Sequence, residues 1–293
     1  MPFHQLVIEL PGRDLARAED ACRQLGALAL LLADAGDEPL LEPAPGETPL
    51  WQEVRLRALF DLAANPALIA AKLEAVLGLA PDSVTAEHVE DRVWEREWLK
   101  DFRPMRFGRR LWVCPAGQPP GELDAVVLEL DPGLAFGTGT HATTALCLEW
   151  LDGAIRGGER VLDYGCGSGI LALAALRLGA GRATAFDVDP QALRATHENA
   201  AKNGLAERVE IPTRATDIEG SFDVVLANIL SGPLVELAPS LASRAGRGGA
   251  LVLAGLLSRQ AGEVAQAYRP WFDISPVAER DGWTLLAGRR RVE

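Results

Sequence analysis

The period of the apolar positions changes repeatedly along the chain, and each change marks a new element. Val7-Ile8-Glu9-Leu10 closes a first short strand, and Asp14 then caps a helix running to about Leu25, with Leu15, Ala18, Ala21, Cys22 and Leu25 at helical spacing. Ala29–Leu32 reads as a buried strand, and residues 34–50, rich in Gly, Pro, Asp and Glu, as a hairpin and loop. Val54, Leu56, Ala58 and Phe60 alternate as a half-buried strand does. Asn65–Leu77 is a helix with Asn65 as its cap and Pro66 in its first turn, and Ser83–Val89 is a further strand. Strand-helix-strand-strand-helix-strand predicts a small α+β, ferredoxin-like module over residues 1–90.

Residues 91–122 form a linker region. Trp94 and Trp98 lie four apart and share one face of a predicted connecting helix within 91–112. From 123 to 293 strands and helices alternate. The strands are Val161–Tyr164, Ala183–Val188, Val209–Ile211, Phe222–Asn228 and Ala250–Ala254. Between and after them come helices Gly169–Leu178, Pro190–Asn203 (capped by Asp189), Leu234–Ser243 and Ser258–Tyr268. Phe272–Ala278 and Trp283–Gly288, joined by Asp281-Gly282, carry a hairpin signal. The expected fold is α/β: a mostly parallel, Rossmann-like sheet finished by an antiparallel hairpin.

No apolar run approaches the roughly 18–20 residues that a membrane helix needs, and the start shows no signal-peptide pattern. The four cysteines have no metal-ligand spacing, so no metal is expected and a cytoplasmic protein with reduced thiols is. The net charge of −12 is uneven: residues 1–93 hold 7 basic and 16 acidic side chains, whereas 94–110 hold 6 basic and 3 acidic. An acidic front module suits a basic protein partner and not a phosphate backbone, so neither membrane nor direct nucleic-acid binding is expected.

The chemistry centres on Asp163-Tyr-Gly-Cys-Gly-Ser-Gly169, between a strand and a helix. Glycines let the backbone turn sharply and approach a ligand, and open α/β sheets bind ligands at the carboxyl ends of their strands. The spacing is GxGxG, distinct from the GxGxxG of nicotinamide folds. Asp187 stands 22 residues after Gly165, at the tip of the next strand, where a carboxylate can accept both hydroxyls of a ribose. Thr138, Thr140, Thr143 and Thr144 precede or open a helix, where an anion is favoured. The plainer role for Thr140 or Thr143 is to cap the helix Ala142–Leu151. His141 could act near the amine, though a solvated or structural histidine is the plainer reading, and Cys166, with no His or Asp partner nearby in sequence, is not expected to be a nucleophile.

With these residues in place, the chain resembles the class I methyltransferases that use S-adenosylmethionine. Within them it resembles the methyltransferases of large-subunit ribosomal protein eleven. The run Asp131-Pro-Gly-Leu-Ala-Phe-Gly-Thr-Gly-Thr-His-Ala-Thr-Thr144 is the specific part of that resemblance, joined by Phe186–Pro190, Ala227-Asn228-Ile229-Leu230 and Trp94-Glu-Arg-Glu-Trp98. The resemblance implies S-adenosylmethionine as cofactor, contacted by Thr144, Gly165, Gly167, Asp187 and Asn228. It implies a ribosomal protein as partner and methylation of lysine and α-amino groups.

Asn228 ends the fourth strand of the second domain and is expected to position the acceptor. Many amino-group methyltransferases carry Asn-Pro-Pro-Tyr there; this chain has Asn228-Ile-Leu-Ser231. The missing aromatic argues against a planar acceptor and is compatible with an aliphatic amine. Methyl transfer to another protein, RNA or a small amine is the alternative within catalysis. A nicotinamide oxidoreductase and a noncatalytic cofactor-binding protein are the alternatives outside it.

Overall fold

A computed structural model describes residues 3–36, 50–89, 103–122, 124–130 and 139–292. The chain divides into two compact units, Met1–Trp94 and Glu95–Glu293.

In the first unit β1 (Phe3–Pro11), α1 (Leu15–Gln24), β2 (Ala29–Asp34), β3 (Glu53–Asp61), α2 (Pro66–Leu77) and β4 (Thr85–Val89) follow one another. The strands form an antiparallel sheet in the order β2-β3-β1-β4, the ferredoxin-like arrangement. Alternate residues decide its buried face. Leu6, Ile8 and Leu10 of β1 and Val54, Leu56, Ala58 and Phe60 of β3 form one core with Ala18, Cys22, Ile69 and Leu73 of the helices. Asn65 caps α2 by accepting from the Leu68 N–H at 3.2 Å. Asp14 does not cap α1 through its side chain; it closes a 3-10 turn, Gly12–Asp14, that leads into the helix. Most of the hairpin and loop expected over 34–50 lies outside the described residues.

The second unit opens with β5 (Met105–Phe107), β6 (Leu111–Cys114) and β7 (Val126–Glu129), a three-stranded sheet in that order. A connecting helix through 112 is therefore corrected over residues 105–112; Trp94 and Trp98 lie outside the described residues. Asp152 is the reason the chain turns here. Its buried carboxylate accepts the N–H groups of Arg109 at 2.6 Å and Arg110 at 3.2 Å, across a turn that Gly108 enters at φ +71°.

The main sheet contains β8 (Arg160–Tyr164), β9 (Arg182–Phe186), β10 (Val209–Glu210), β11 (Phe222–Asn228), β12 (Ala245–Leu257), β13 (Phe272–Arg280) and β14 (Trp283–Arg290). Their order is β10-β9-β8-β11-β12-β14-β13, and β14 alone among these runs opposite to the other six. Both faces are covered, as a parallel sheet requires. Val161, Leu226 and Val252 pack on one side, with α3 (Ala142–Ala154) and α4 (Ile170–Leu178). Leu162, Val225 and Leu251 pack on the other, with α6 (Ser231–Glu236), α7 (Ala238–Arg244) and α8 (Ala261–Tyr268). Asp281 (φ 52°) and Gly282 (φ 78°) make the hairpin turn that their dipeptide announces. One expected helix, Leu234–Ser243, is two. Pro239, which has no N–H to extend a preceding helix, sits in the first turn of α7.

Candidate active site

The glycine loop leaves β8 and enters α4. Gly165, Gly167 and Gly169 have φ of +82°, +54° and +78°, a region that side chains disfavour. A Cβ on Gly165 would lie 2.3 Å from Ile229 Cγ2, and one on Gly169 would lie 2.7 Å from Thr196 Cγ2. The loop is thus closed on both sides by neighbouring elements. Phe186 at the end of β9 accepts the N–H groups of Gly165 at 2.7 Å and Cys166 at 3.0 Å.

Asp187, the next residue, holds the loop by a second route. One carboxylate oxygen accepts the Gly167 N–H at 2.9 Å, and the other accepts the Asp189 N–H at 3.0 Å. Each oxygen keeps a further lone pair for an incoming hydroxyl. Val188 beside it is 86% exposed, leaving an apolar surface next to the carboxylate. Asp189 caps α5 (Pro190–Lys202) by accepting from the Gln191 N–H at 2.8 Å.

Two loop anchors escaped the sequence reading. Thr196 Oγ1 donates to the Gly167 carbonyl at 3.0 Å, and Asn199 Nδ2 donates to the Ser168 carbonyl at 3.0 Å. Both are buried polar residues of α5, three apart, facing the loop. Their signal was a polar i, i+3 pair on the side of an amphipathic helix that must face the domain.

Beneath the loop Asp163 is fully buried. Its Oδ2 accepts the Ala172 N–H at 3.0 Å, whereas Oδ1 has no partner among the described residues. Burial pushes its carboxyl up to about 7, opposed by the Ala172 N–H and reinforced by the nearby Asp187 charge. An acid whose folded pKa lies above its unfolded value holds its proton more tightly when folded. Stability therefore falls as pH rises from about 4 to about 7, and the loss persists above that range. Asp163→Asn removes the titration and keeps an acceptor for Ala172. Denaturant melts across pH are expected to show a flatter profile and, at pH 8, a gain of up to about 4 kcal/mol. An unchanged slope between pH 4 and 7 would refute the assignment.

On the opposite side of the site, His141 is the N-cap of α3; its Nδ1 accepts the Thr143 N–H at 3.4 Å and lies 2.8 Å from Thr143 Oγ1. The cap is therefore His141, not Thr140 or Thr143. The His141 ring also meets Trp283 edge-on at 5.0 Å. Thr144 is buried, and its hydroxyl accepts from Asn228 Nδ2 at 3.3 Å. Asn228 ends β11 beside β8, and Ile229 following it covers Gly165. All five residues singled out as site residues, Thr144, Gly165, Gly167, Asp187 and Asn228, thus fall in one connected cluster at the carboxyl ends of β8, β9 and β11. Phe136 and Thr138 lie outside the described residues. Burial raises the Cys166 thiol far above its ordinary range, and Sγ lies 3.4 Å from Thr196 Oγ1, an environment of packing and not of nucleophilic attack.

A seven-stranded sheet with its last strand reversed, a GxGxG loop after the first parallel strand and a carboxylate at the tip of the second define a class I methyltransferase, a class that takes its methyl group from S-adenosylmethionine. Comparison with known proteins narrows this. The sequence profile of the family described as "Ribosomal protein L11 methyltransferase (PrmA)" matches residues 2–291. The ribosomal protein L11 methyltransferase of Pseudomonas paraeruginosa is 48% identical over 294 residues, covering 100% of both chains. That of Methylococcus capsulatus is 51% identical over 293 residues, covering 99% of this chain and 100% of its own. The crystal structure of ribosomal protein L11 methylase from Lactobacillus delbrueckii subsp. bulgaricus aligns at a TM-score of 0.60 with 33% identity, covering 65% of this chain and 100% of that one. The chain belongs to the ribosomal protein L11 methyltransferase family.

Proposed function

We propose that this enzyme transfers methyl groups from S-adenosylmethionine to amino groups of ribosomal protein L11, lysine side chains and the α-amine among them, in the cytoplasm. The observation that carries the reading is the Thr144–Asn228 hydrogen bond joined through Ile229 to the glycine loop, which puts a polar acceptor end beside a cofactor cradle. The donor set fits the cofactor. Asp187 offers two carboxylate oxygens for ribose hydroxyls, Val188 offers apolar surface for a planar base, and the orphaned Asp163 Oδ1 offers an acceptor beneath the loop.

When bound, S-adenosylmethionine supplies a sulfonium methyl carbon open to in-line attack by a nitrogen lone pair. The chain's task is to present that nitrogen neutral and aligned. Lysine's ordinary pKa of about 10.4 makes the neutral amine about 4.6 kcal/mol uphill at pH 7. Burial beside a cation lowers that pKa, so no strong base is required. Asn228 orients the amine through its side-chain oxygen, since its amide nitrogen is turned to Thr144. Positioning and exclusion of water then account for most of the rate. The Ile229-Leu230-Ser231 continuation, without proline or aromatic ring, leaves room for a nitrogen that grows with each methyl group.

The first unit carries 16 of the 41 acidic residues within residues 1–93, and we assign it the recognition of the basic ribosomal protein. Radiolabelled methyl transfer to purified ribosomal proteins, followed by mass mapping, is expected to label L11 on amines; no label on L11 refutes the function. Deleting residues 1–90 is expected to remove L11 methylation and retain cofactor binding. A truncated chain that methylates L11 at the full rate refutes the recognition role alone.

A further inference from the structure

We propose that Phe107, with Met105 beside it on β5, is a positioning residue of the methyl-transfer site, and that the β5–β6 hairpin is a brace between the two ends of α3. The role rests on the proposed function. Phe107 is buried in the core that β5 shares with α3 and α4, and Met105 packs against that core partly buried. Both side chains reach Gly139, two residues before the His141 cap. A Cβ on Gly139 would stand 3.1 Å from Phe107 Cζ and 3.3 Å from Met105 Cε, closer than a side chain normally permits. Gly139 also has φ +89°, the left-handed region that favours glycine. The backbone entering α3 therefore rests on the Phe107 ring.

The ring is itself located from the far end of the same helix. Asp152 lies in the last turn of α3, about 12 Å of helix axis beyond Thr144. Its carboxylate takes the Arg109 and Arg110 N–H groups, and Arg110 Nη2 donates to the Asp152 carbonyl at 3.1 Å. Gly108 permits this approach, since a Cβ there would lie 2.5 Å from Asp152 Oδ2. Phe107 directly precedes Gly108 and pairs with Leu111 across the hairpin. Asp152 thus fixes the hairpin, the hairpin fixes the ring, and the ring fixes the entry to the helix that carries Asp152.

The consequence falls on the acceptor. Just beyond this entry the Ala145 N–H donates to the His141 carbonyl at 3.0 Å, closing the first turn of α3. Thr144 stands in that turn and accepts from Asn228 Nδ2 at 3.3 Å. A shift of the entry moves Thr144, and the Asn228 oxygen that orients the amine moves with it. Core filling accounts for the burial of Phe107. It does not account for two side chains converging on one glycine, or for a turn tied to the other end of the helix that this glycine leads into.

Methyl transfer to L11 by the full chain, thermal melts and amide hydrogen exchange test the brace. Phe107→Leu keeps an apolar side chain in the core and withdraws Cζ. It is expected to lower kcat about tenfold, the effect of a displacement of roughly half an ångström. Met105→Ala, at the lesser contact, is expected to lower it about threefold. Leu128→Ala opens a cavity in the same core but on β7, the other edge of the small sheet. It is expected to lower the melting temperature more than Phe107→Leu does and to leave kcat within about twofold of the parent. Asp152→Ala acts by the same route as Phe107→Leu, so the double variant should be no slower than the slower single. The Ala145 amide is expected to exchange faster in Phe107→Leu and in Asp152→Ala than in Leu128→Ala. Should the parent fail to label L11, the proposed function falls, and the exchange data alone decide the brace. Rates that follow melting temperature across the variants, additive losses in the double variant, or unchanged Ala145 exchange overturn the proposal.

Discussion

Asp187→Ala is expected to weaken S-adenosylmethionine binding by about 10²–10⁴-fold. The expectation follows from what the carboxylate does before any ligand arrives. It accepts one N–H from Gly167 and one from Asp189, so it fixes the middle of the glycine loop and the entry to α5 together. Its remaining lone pairs are the ones a ribose would use. Two charge-assisted hydrogen bonds to a ligand contribute about 3–6 kcal/mol, and each 1.4 kcal/mol is a factor of ten in affinity. Asp187→Asn keeps one oxygen but turns an NH₂ group toward an N–H donor, so it should fall nearer to alanine than to the parent. Isothermal titration calorimetry of the three proteins measures this. A change below threefold for alanine would mean that the carboxylate serves the loop and not the ligand.

The parts of this protein that were legible in its sequence are those governed by local rules. Strand period, caps at Asn65 and Asp189, the Asp281-Gly282 turn and the glycine loop each depend on neighbours within a few residues. The misreadings share another cause. The connecting helix read from Trp94 and Trp98 extends to 112, yet a carboxylate some forty positions from the turn at 108–110, Asp152, takes two of that turn's N–H groups and favours strands over 105–112. Asp14 seemed a helix cap, but Gly12 is buried where a Cβ would lie 2.2 Å from the Trp51 carbonyl, and the chain tightens into a 3-10 turn. Thr196 and Asn199 became visible as loop anchors only once α5 was docked on the sheet. Residue type and spacing identified the chemistry of the site; which groups hold the loop in shape depended on tertiary contacts.

Gly255→Ala is expected to lower kcat by about 10²-fold while leaving cofactor affinity nearly unchanged. Gly255 sits at the irregularity of β12 against β14, with φ +82°. A Cβ there would stand 2.3 Å from the Ile229 carbonyl oxygen and 3.0 Å from the Ile229 nitrogen. The residue pushed aside is the one after Asn228, and a displacement of about 1 Å at a positioning group costs about that factor. Asp187 is held by the N–H groups of Gly167 and Asp189, contacts in which Ile229 takes no part, so its hold on the cofactor should persist. Gly165→Ala provides the contrast. Its Cβ would meet Ile229 Cγ2 at 2.3 Å, a side-chain atom, so adding Ile229→Ala should relieve the overlap and leave a backbone cost of about 1–2 kcal/mol. The same Ile229→Ala change cannot relieve Gly255→Ala, because a carbonyl oxygen remains whatever the side chain. A double-mutant cycle on kcat, with thermal melts as the control for folding, separates the two. Rescue of Gly255→Ala by Ile229→Ala would show that the Ile229 side chain, and not the path of the backbone past Asn228, sets the acceptor position.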